Sequence, residues 1–281
     1  METLSTGWLV TFGIVLAALT IRSLMILGAA FAWYRASNFA QRRRVYRLAY
    51  AEGQIGSELQ SAVTVIAFDA MIFSTIRHFG LIHYADSPSL ALGILTFLLM
   101  AVWTEIWFYV SHRAMHHKAL FWIHRQHHTA KVTDPLTSLS FSLLERGVLL
   151  GGILGVAAAL SLVVPLSMSG LIAVGLVNYL LNVLGHSNVE FVPAWFARSP
   201  IGRVIITPSY HSMHHARYRG HYGLFTTTLD RLFGTRFEDY EEVYERARSG
   251  AGLTRLGERI DTGGKARTGL GRRHPVPAGA A

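Results

Sequence analysis

The stretch LALGILTFLLMAVWTEIWFYVSHRAMHH, residues 90–117, decides the fold. From Leu90 to Val110 it carries a single charge, Glu105. About 20 predominantly apolar residues suffice for a helix to cross a bilayer. The run then passes straight into His112 and His116, which stand one helical turn apart and so share a face. A spanning helix that delivers histidines at its end is the unit from which the rest of the chain is read.

Three more apolar runs flank it. Gly7 to Tyr34 carries only Arg22, Leu59 to Ile76 only Asp69, and Gly147 to Leu184 no charge at all, with a break at Pro165. Charged residues make up 15% of the 281-residue chain, against about 25% in soluble proteins. The expected fold is therefore an all-α integral membrane protein. It has about four transmembrane helices, counted as three spans plus a helical hairpin over 147–164 and 166–184, with a histidine-lined cap. The absence of cysteine excludes disulfides, thiolate metal sites and iron–sulfur clusters. Met1-Glu2-Thr3 lacks the basic start of a signal peptide, so the first run is expected to be a retained span. The net charge of +9 sits beside the spans and near the C-terminus, which suits anionic lipid headgroups and not nucleic acid.

Arg35, Arg42, Arg43, Arg44 and Arg47 follow the first span, and the positive-inside rule places them in the cytoplasm. Counting spans from there brings Ser111 and His186 back to the same side, so every histidine cluster is expected on the cytoplasmic face. Arg22 is expected to snorkel toward the cytoplasmic interface. The domain reading is an N-terminal span and basic loop over 1–58, a catalytic region over 59–245, and a disordered basic tail over 246–281.

The histidines carry the chemistry. His112-x3-His116 is followed by His124-x2-His127-His128, then His186, then His211-x2-His214-His215. Neutral imidazole is the commonest metal ligand among side chains. These nine exceed the coordination of one ion and fit two, with four or five ligands each and a position left open. His117 is turned about 100° from His116 and is a weaker candidate. His112 and His124 lie about 120° apart on a continuous helix, so the chain must bend between them, near Lys118. Pro208 fits the first turn of a helix that carries the last cluster. His78, His83 and His274 fall outside the pattern. Imidazole suits iron, zinc, copper and nickel alike. Catalytic zinc commonly has three protein ligands and a nearby carboxylate base, whereas these clusters are ligand-rich and contain no Asp or Glu. A redox pair of iron ions that activates O2 is the better match.

These residues resemble the fatty acid hydroxylase / sterol desaturase superfamily of membrane-bound histidine-rich di-iron oxygenases. Tyr109 to His128 is similar to its Y-x-x-H-R-x-x-H…H-x-x-H-H block. His211 to Thr235 is similar to its H-x-x-H-H…N-Y-G…W-D-R-x-F-G-T block. Gln54-Ile-Gly-Ser-Glu58 looks like a segment of lathosterol-oxidase-type sterol desaturases. The likeness covers about 50–240. His221 stands where the family has Asn, either as an extra ligand or as a group beside the ligands, the latter favoured. Leu229 replaces a Trp, and Thr137 to Ser142 replaces a segment in which many members carry a further His. Glu190, four residues after His186, is a candidate carboxylate beside the ligands.

The resemblance implies two iron ions, O2, and hydroxylation or desaturation of a lipid of the sterol or fatty acyl class. Asp230 is expected to support catalysis by hydrogen-bonding a ligand imidazole, or else to cap a helix or pair with Arg231. Arg113 and Arg125 either hold carboxylates near the ligands or are plain interfacial arginines. Spans 59–110 and the hairpin are expected to form a lipid-accessible slot toward the metals. Electrons must come from a separate cytochrome b5-, ferredoxin- or reductase-type donor. Two other readings stay open: a membrane zinc-dependent lipid hydrolase, and a metal transporter, whose ligands would sit within the spans near the bilayer midplane.

Overall fold

The computed structural model describes residues 2–262, with side chains from Thr6 onward. The elements are α1 (Glu2–Ser23), which runs through a π-helical turn at Leu24–Gly28 into α2 (Ala29–Ala36), then α3 (Asn38–Arg42), α4 (Gln54–His78), α5 (Leu90–Met115) and α6 (Phe121–His124). They continue as α7 (Leu143–Ser161), α8 (Met168–Gly185), α9 (Ala194–Ala197), α10 (Pro208–Arg217), α11 (Thr228–Leu232) and α12 (Tyr240–Arg248). Five stretches are long and apolar enough to cross a membrane: Thr6–Ala36, α4, α5, α7 and α8. They coincide with the three expected spans and the two arms of the expected hairpin. In lipid every backbone polar group must be met internally, which a helix does. Ser89, Ser142 and Ser167 cap the starts of α5, α7 and α8 by accepting from Leu92, Glu145 and Gly170 amides.

The outer surface of the bundle is apolar, with Ile14, Val63, Leu98 and Ile172 all exposed. α1 packs along α4, while α5 packs against both arms of the hairpin. Missing Cβ atoms allow the close approach to α5. A Cβ on Gly152 would lie 1.9 Å from Trp107, and one on Gly170 would lie 2.6 Å from the Gly93 carbonyl. Small residues at contacts are the usual means of tight packing where lipid removes the hydrophobic drive.

A cap of loops and short helices closes one end of this bundle. Its own core gathers Val45, Tyr46, Tyr210, Met213, Val243, Tyr244 and Leu253. The Arg217–Asp239 ion pair, 2.7 Å and buried, ties the end of α10 to the start of α12. The cap also reaches down α5, where Glu105 accepts from the amides of Phe225 and Thr226 at 2.8 and 3.1 Å.

Three expectations are corrected here. Boundaries at 58 and 245 do not separate bodies. Asn188 bonds both backbone groups of Tyr46, and Arg47 and Val45 bond the backbone of Leu253. Residues 246–262 are not a loose tail, because α12 runs to Arg248 and Leu253 is fully buried; residues 263–281, with His274, lie outside the described residues. Arg22 does not snorkel. Its guanidinium stacks 3.9 Å above the Tyr179 ring on α8, a cation–π contact made inside the bundle.

Candidate metal centre

The nine histidines arrive from four places. His112 lies in the last turn of α5, which ends at Met115 with His116 as its C-cap. The chain turns over 116–120 before α6, which is the bend required near Lys118. His124 ends α6, and His127 and His128 open a 3-10 turn. His186 caps the C-terminus of α8. Pro208 occupies the first turn of α10, which carries His211, His214 and His215.

They sort into two groups. His112, His116, His124, His128 and His214 form one, and His127, His186, His211 and His215 the other, with donor atoms in each group within 4.8 Å of one another. Each HxxHH motif is split. Its first and last histidines, four residues apart and on one face, serve one group, while the middle one serves the other. Across an ion bonded to nitrogen at about 2.1 Å, opposite donors stand about 4.2 Å apart. Each group thus has the span an ion would draw together.

The hydrogen bonds around the rings decide what they can hold. Nδ1 of His112 faces the Tyr222 carbonyl, His127 that of Ser140, His186 that of Asn182, His214 that of Gly220, and His215 that of Ala130, at 2.7–3.1 Å. Nδ1 of His124 faces the Glu145 carboxylate at 2.6 Å. A carbonyl oxygen only accepts, so those five Nδ1 atoms donate their protons and each of the five neutral rings is left with a bare lone pair on Nε2. The Nε2 atoms of the two groups converge. His186 Nε2 lies 2.9 Å from His211 Nε2, 3.2 Å from His215 Nε2 and 3.3 Å from His127 Nε2. His214 Nε2 lies 3.1 Å from His128 Nε2 and 3.2 Å from His116 Nε2. The Nε2 atoms of His112 and His124 are buried with no partner. The bare Nε2 atoms of His127, His186 and His215 cannot bond one another, and a cation between them resolves the repulsion, as one beside His112 would meet its orphaned acceptor.

Burial is also the first cause that pushes the ring pKa values down, followed by neighbouring imidazoles. His124, His127, His128, His211, His214 and His215 are all lowered well below 6.5, and His186 to about 4. The rings are therefore neutral at physiological pH, the form that ligates.

The remaining candidate residues take other partners. Asp230 touches no imidazole. It accepts from the Tyr222 and Gly223 amides at 2.9 and 2.8 Å and from Thr235, and so fixes the loop whose Tyr222 carbonyl orients His112. Arg231, its other suggested partner, bonds Thr227 and the Arg203 carbonyl instead. His221 lies outside both groups, with φ of 58°. Its ring stacks 3.4 Å from Tyr210, and its Nδ1 donates to the Tyr210 carbonyl at 2.9 Å. Left-handed backbone is where Asn is at home, which explains the family's Asn at this place. Glu190 is buried and accepts from the amides of Val192 and Ser209, the latter in the first turn of α10. His117 is exposed and belongs to neither group, Arg113 bonds the Tyr109 hydroxyl, and Arg125 is exposed.

Glu145 is the residue that sequence reasoning missed. Ser142-x-x-Glu145 is a visible helix-start pattern, but the glutamate turns away from its own helix start toward His124. Thr137 to Phe141 is buried under the second group. Phe141 stacks on His127 with centroids 4.7 Å apart and planes 5° apart. Gln54 donates to Glu58 and to the Val132 carbonyl, and Glu58 accepts from Thr137, so the 54–58 segment holds that same stretch in place.

Residues 97–235, which include all nine histidines, match the fatty acid hydroxylase family model. Very-long-chain aldehyde decarbonylase GL1-4 of Oryza sativa subsp. indica is 34% identical over 166 residues, covering 56% of this chain and 26% of that protein. Protein CER1-like 1 of Arabidopsis thaliana is 32% identical over 167 residues, covering 55% of this chain and 25% of that protein. This chain thus spans about a quarter of the length of these relatives. No solved structure matches it. The GL1-4 relative is named for aldehyde chemistry, where the 54–58 segment pointed to sterol desaturases. With its histidine blocks, its spanning helices and this match, residues 97–235 form a fatty acid hydroxylase domain.

Proposed function

We propose that the protein is a membrane-bound non-haem di-iron oxidoreductase that uses O2 and external electrons to modify a lipid by hydroxylation or desaturation. The convergence of Nε2 atoms in two all-histidine groups carries this reading. Two adjacent metal ions with nitrogen ligands and open positions supply O2 activation when bound. The likeness to very-long-chain aldehyde decarbonylases favours a long aliphatic substrate over a sterol.

The chain's own residues do the rest. The carbonyls of Tyr222, Ser140, Asn182, Gly220 and Ala130 hold the protons on Nδ1 and keep each ring turned toward its group. Glu145 gives His124 a carboxyl partner on Nδ1, which holds the ring's orientation. Burial keeps water away from both groups. Membrane helices on one side and a polar cap on the other let a lipid approach from the bilayer while an electron donor approaches the cap. The basic residues 35–47 suit an acidic donor. The positive-inside rule puts that face in the cytoplasm.

The test is metal analysis paired with lipid analysis. Two iron ions per purified chain are expected. Host lipids with a mass gain of one oxygen, or a loss of two hydrogens, should appear only with O2 present. Zinc in place of iron, with the same product formed anaerobically, would reject the reading.

A further inference from the structure

A cleft of about 220 Å³ runs between α4 and α7 on the membrane face of the bundle. Phe68, Ile72 and Ile76 form one wall; the other is α7, with Gly147, Gly151 and Gly155 along it. Leu81 and Ile82, on the turn after α4, lie across its far end. At the near end the Arg146–Asp69 ion pair, 2.6 Å, clamps the two helices together.

That near end lies on the side of the bundle that carries the histidines. Arg146 also lies 5.8 Å from the Phe141 ring, which stacks on His127. Glu145, the partner of His124, precedes it in the chain. From Gly147 to Ala158 the cleft measures about 16 Å along the helix axis. Its volume over that length makes a slot one alkyl chain wide, too narrow for a helix roughly 10–12 Å across.

The glycines have no packing reason of their own. Gly152 faces α5, where a Cβ would strike Trp107, whereas a Cβ on Gly151 or Gly155 would meet nothing within 4 Å. Both are exposed, and glycine is the poorest helix former after proline. What their bareness creates is the slot.

We infer that this cleft seats the straight aliphatic chain of the substrate, methyl end at Leu81 and Ile82 and reacting end toward His127, and that Gly151 and Gly155 set the chain length accepted. The inference rests on the lipid-oxidising reading and adds to it the seat of the chain and the two residues that limit its length. In lipid the selectivity comes from contact and fit, since the bilayer is itself apolar.

The experiment uses the full chain in membranes with a long-chain fatty aldehyde carrying a diazirine at its methyl end. Irradiation is expected to label Leu81, Ile82 or Ala158. In Gly155→Leu, labelling by the long probe should fall roughly tenfold while a shorter-chain probe labels normally. Iron per chain should not change. Should Gly155→Leu fail to fold, Ile72→Phe narrows the slot from the opposite wall, and Gly155→Ala gives a smaller shift. Label found elsewhere, or long-chain labelling unaffected by any of these variants, overturns the inference. So does a change in oligomeric state without a change in labelling, which would make the occupant a second copy of the chain. A wild-type chain that lacks iron but labels at Leu81 would instead defeat the enzymatic reading and leave the cleft assignment standing.

Discussion

At the scale of single residues, what separates the histidines from one another is what holds their Nδ1 atoms. Five rings lean on backbone carbonyls, and His124 leans on a carboxylate. Losing such a partner commonly costs about 10–100-fold in metal affinity. Glu145→Leu is therefore expected to lose metal to a chelator at about 10–100-fold lower concentration than the parent. Glu145→Gln, which keeps an accepting oxygen without the charge, should fall between them. Equal chelator resistance in all three would remove Glu145 from the site. His221 allows the opposite test. His221→Asn suits φ of 58° and should keep both stability and metal content. His221→Ala should destabilise the fold by roughly 1–3 kcal/mol, because it removes the stack on Tyr210 and leaves the buried Tyr210 carbonyl without its donor, again with full metal content. Metal loss in His221→Asn would make it a ligand after all.

At the scale of the element, α10 is the helix whose placement matters most, since it gives one histidine to the first group and two to the second. Glu190 fastens its start. Burial lifts the Glu190 carboxyl from 4.5 to about 7, against the opposing pull of the Ser209 and Val192 hydrogen bonds. An acid whose pKa rises on folding keeps its proton in the folded chain after the unfolded chain has lost its own. Its contribution to stability is complete below pH 4.5 and is lost as the pH rises through about 7. The window amounts to roughly 3 kcal/mol. Glu190→Gln should pay a constant loss for one unmet amide but erase this slope. Thermal midpoints of the two proteins, measured across that range, should converge as the pH rises; parallel curves would count against the assignment.

At the scale of the whole molecule, both histidine groups stand at the capped end of the helix bundle, and the α4–α5 turn stands at the other. The chain has no cysteine of its own, so single introduced thiols report cleanly. Ser87 and Lys118 are both exposed, one at each end. With the cap in the cytoplasm, Ser87→Cys should react with an impermeant maleimide on intact cells, and Lys118→Cys only after permeabilisation. The reverse pattern would invert the topology. Chelation should also lower the melting temperature of the whole protein, because an ion that binds only the folded chain at about 1,000 times its Kd contributes about 4 kcal/mol.

The sequence by itself determined the long apolar helices and the nine clustered histidines, because apolar length and i,i+4 spacing are local properties that a single segment expresses. The bend near Lys118 and the start of α10 at Pro208 were legible for the same reason. What only the tertiary structure decided was the partnership between segments. The neighbours His127 and His128 go to different groups, Glu145 crosses to His124, Asp230 reaches a loop and not an imidazole, and Arg22 finds Tyr179. The burial of Leu253 beside Tyr46 likewise depends on residues far apart in the chain. Such pairings are set by which helices pack together and at what height, and no local spacing encodes that.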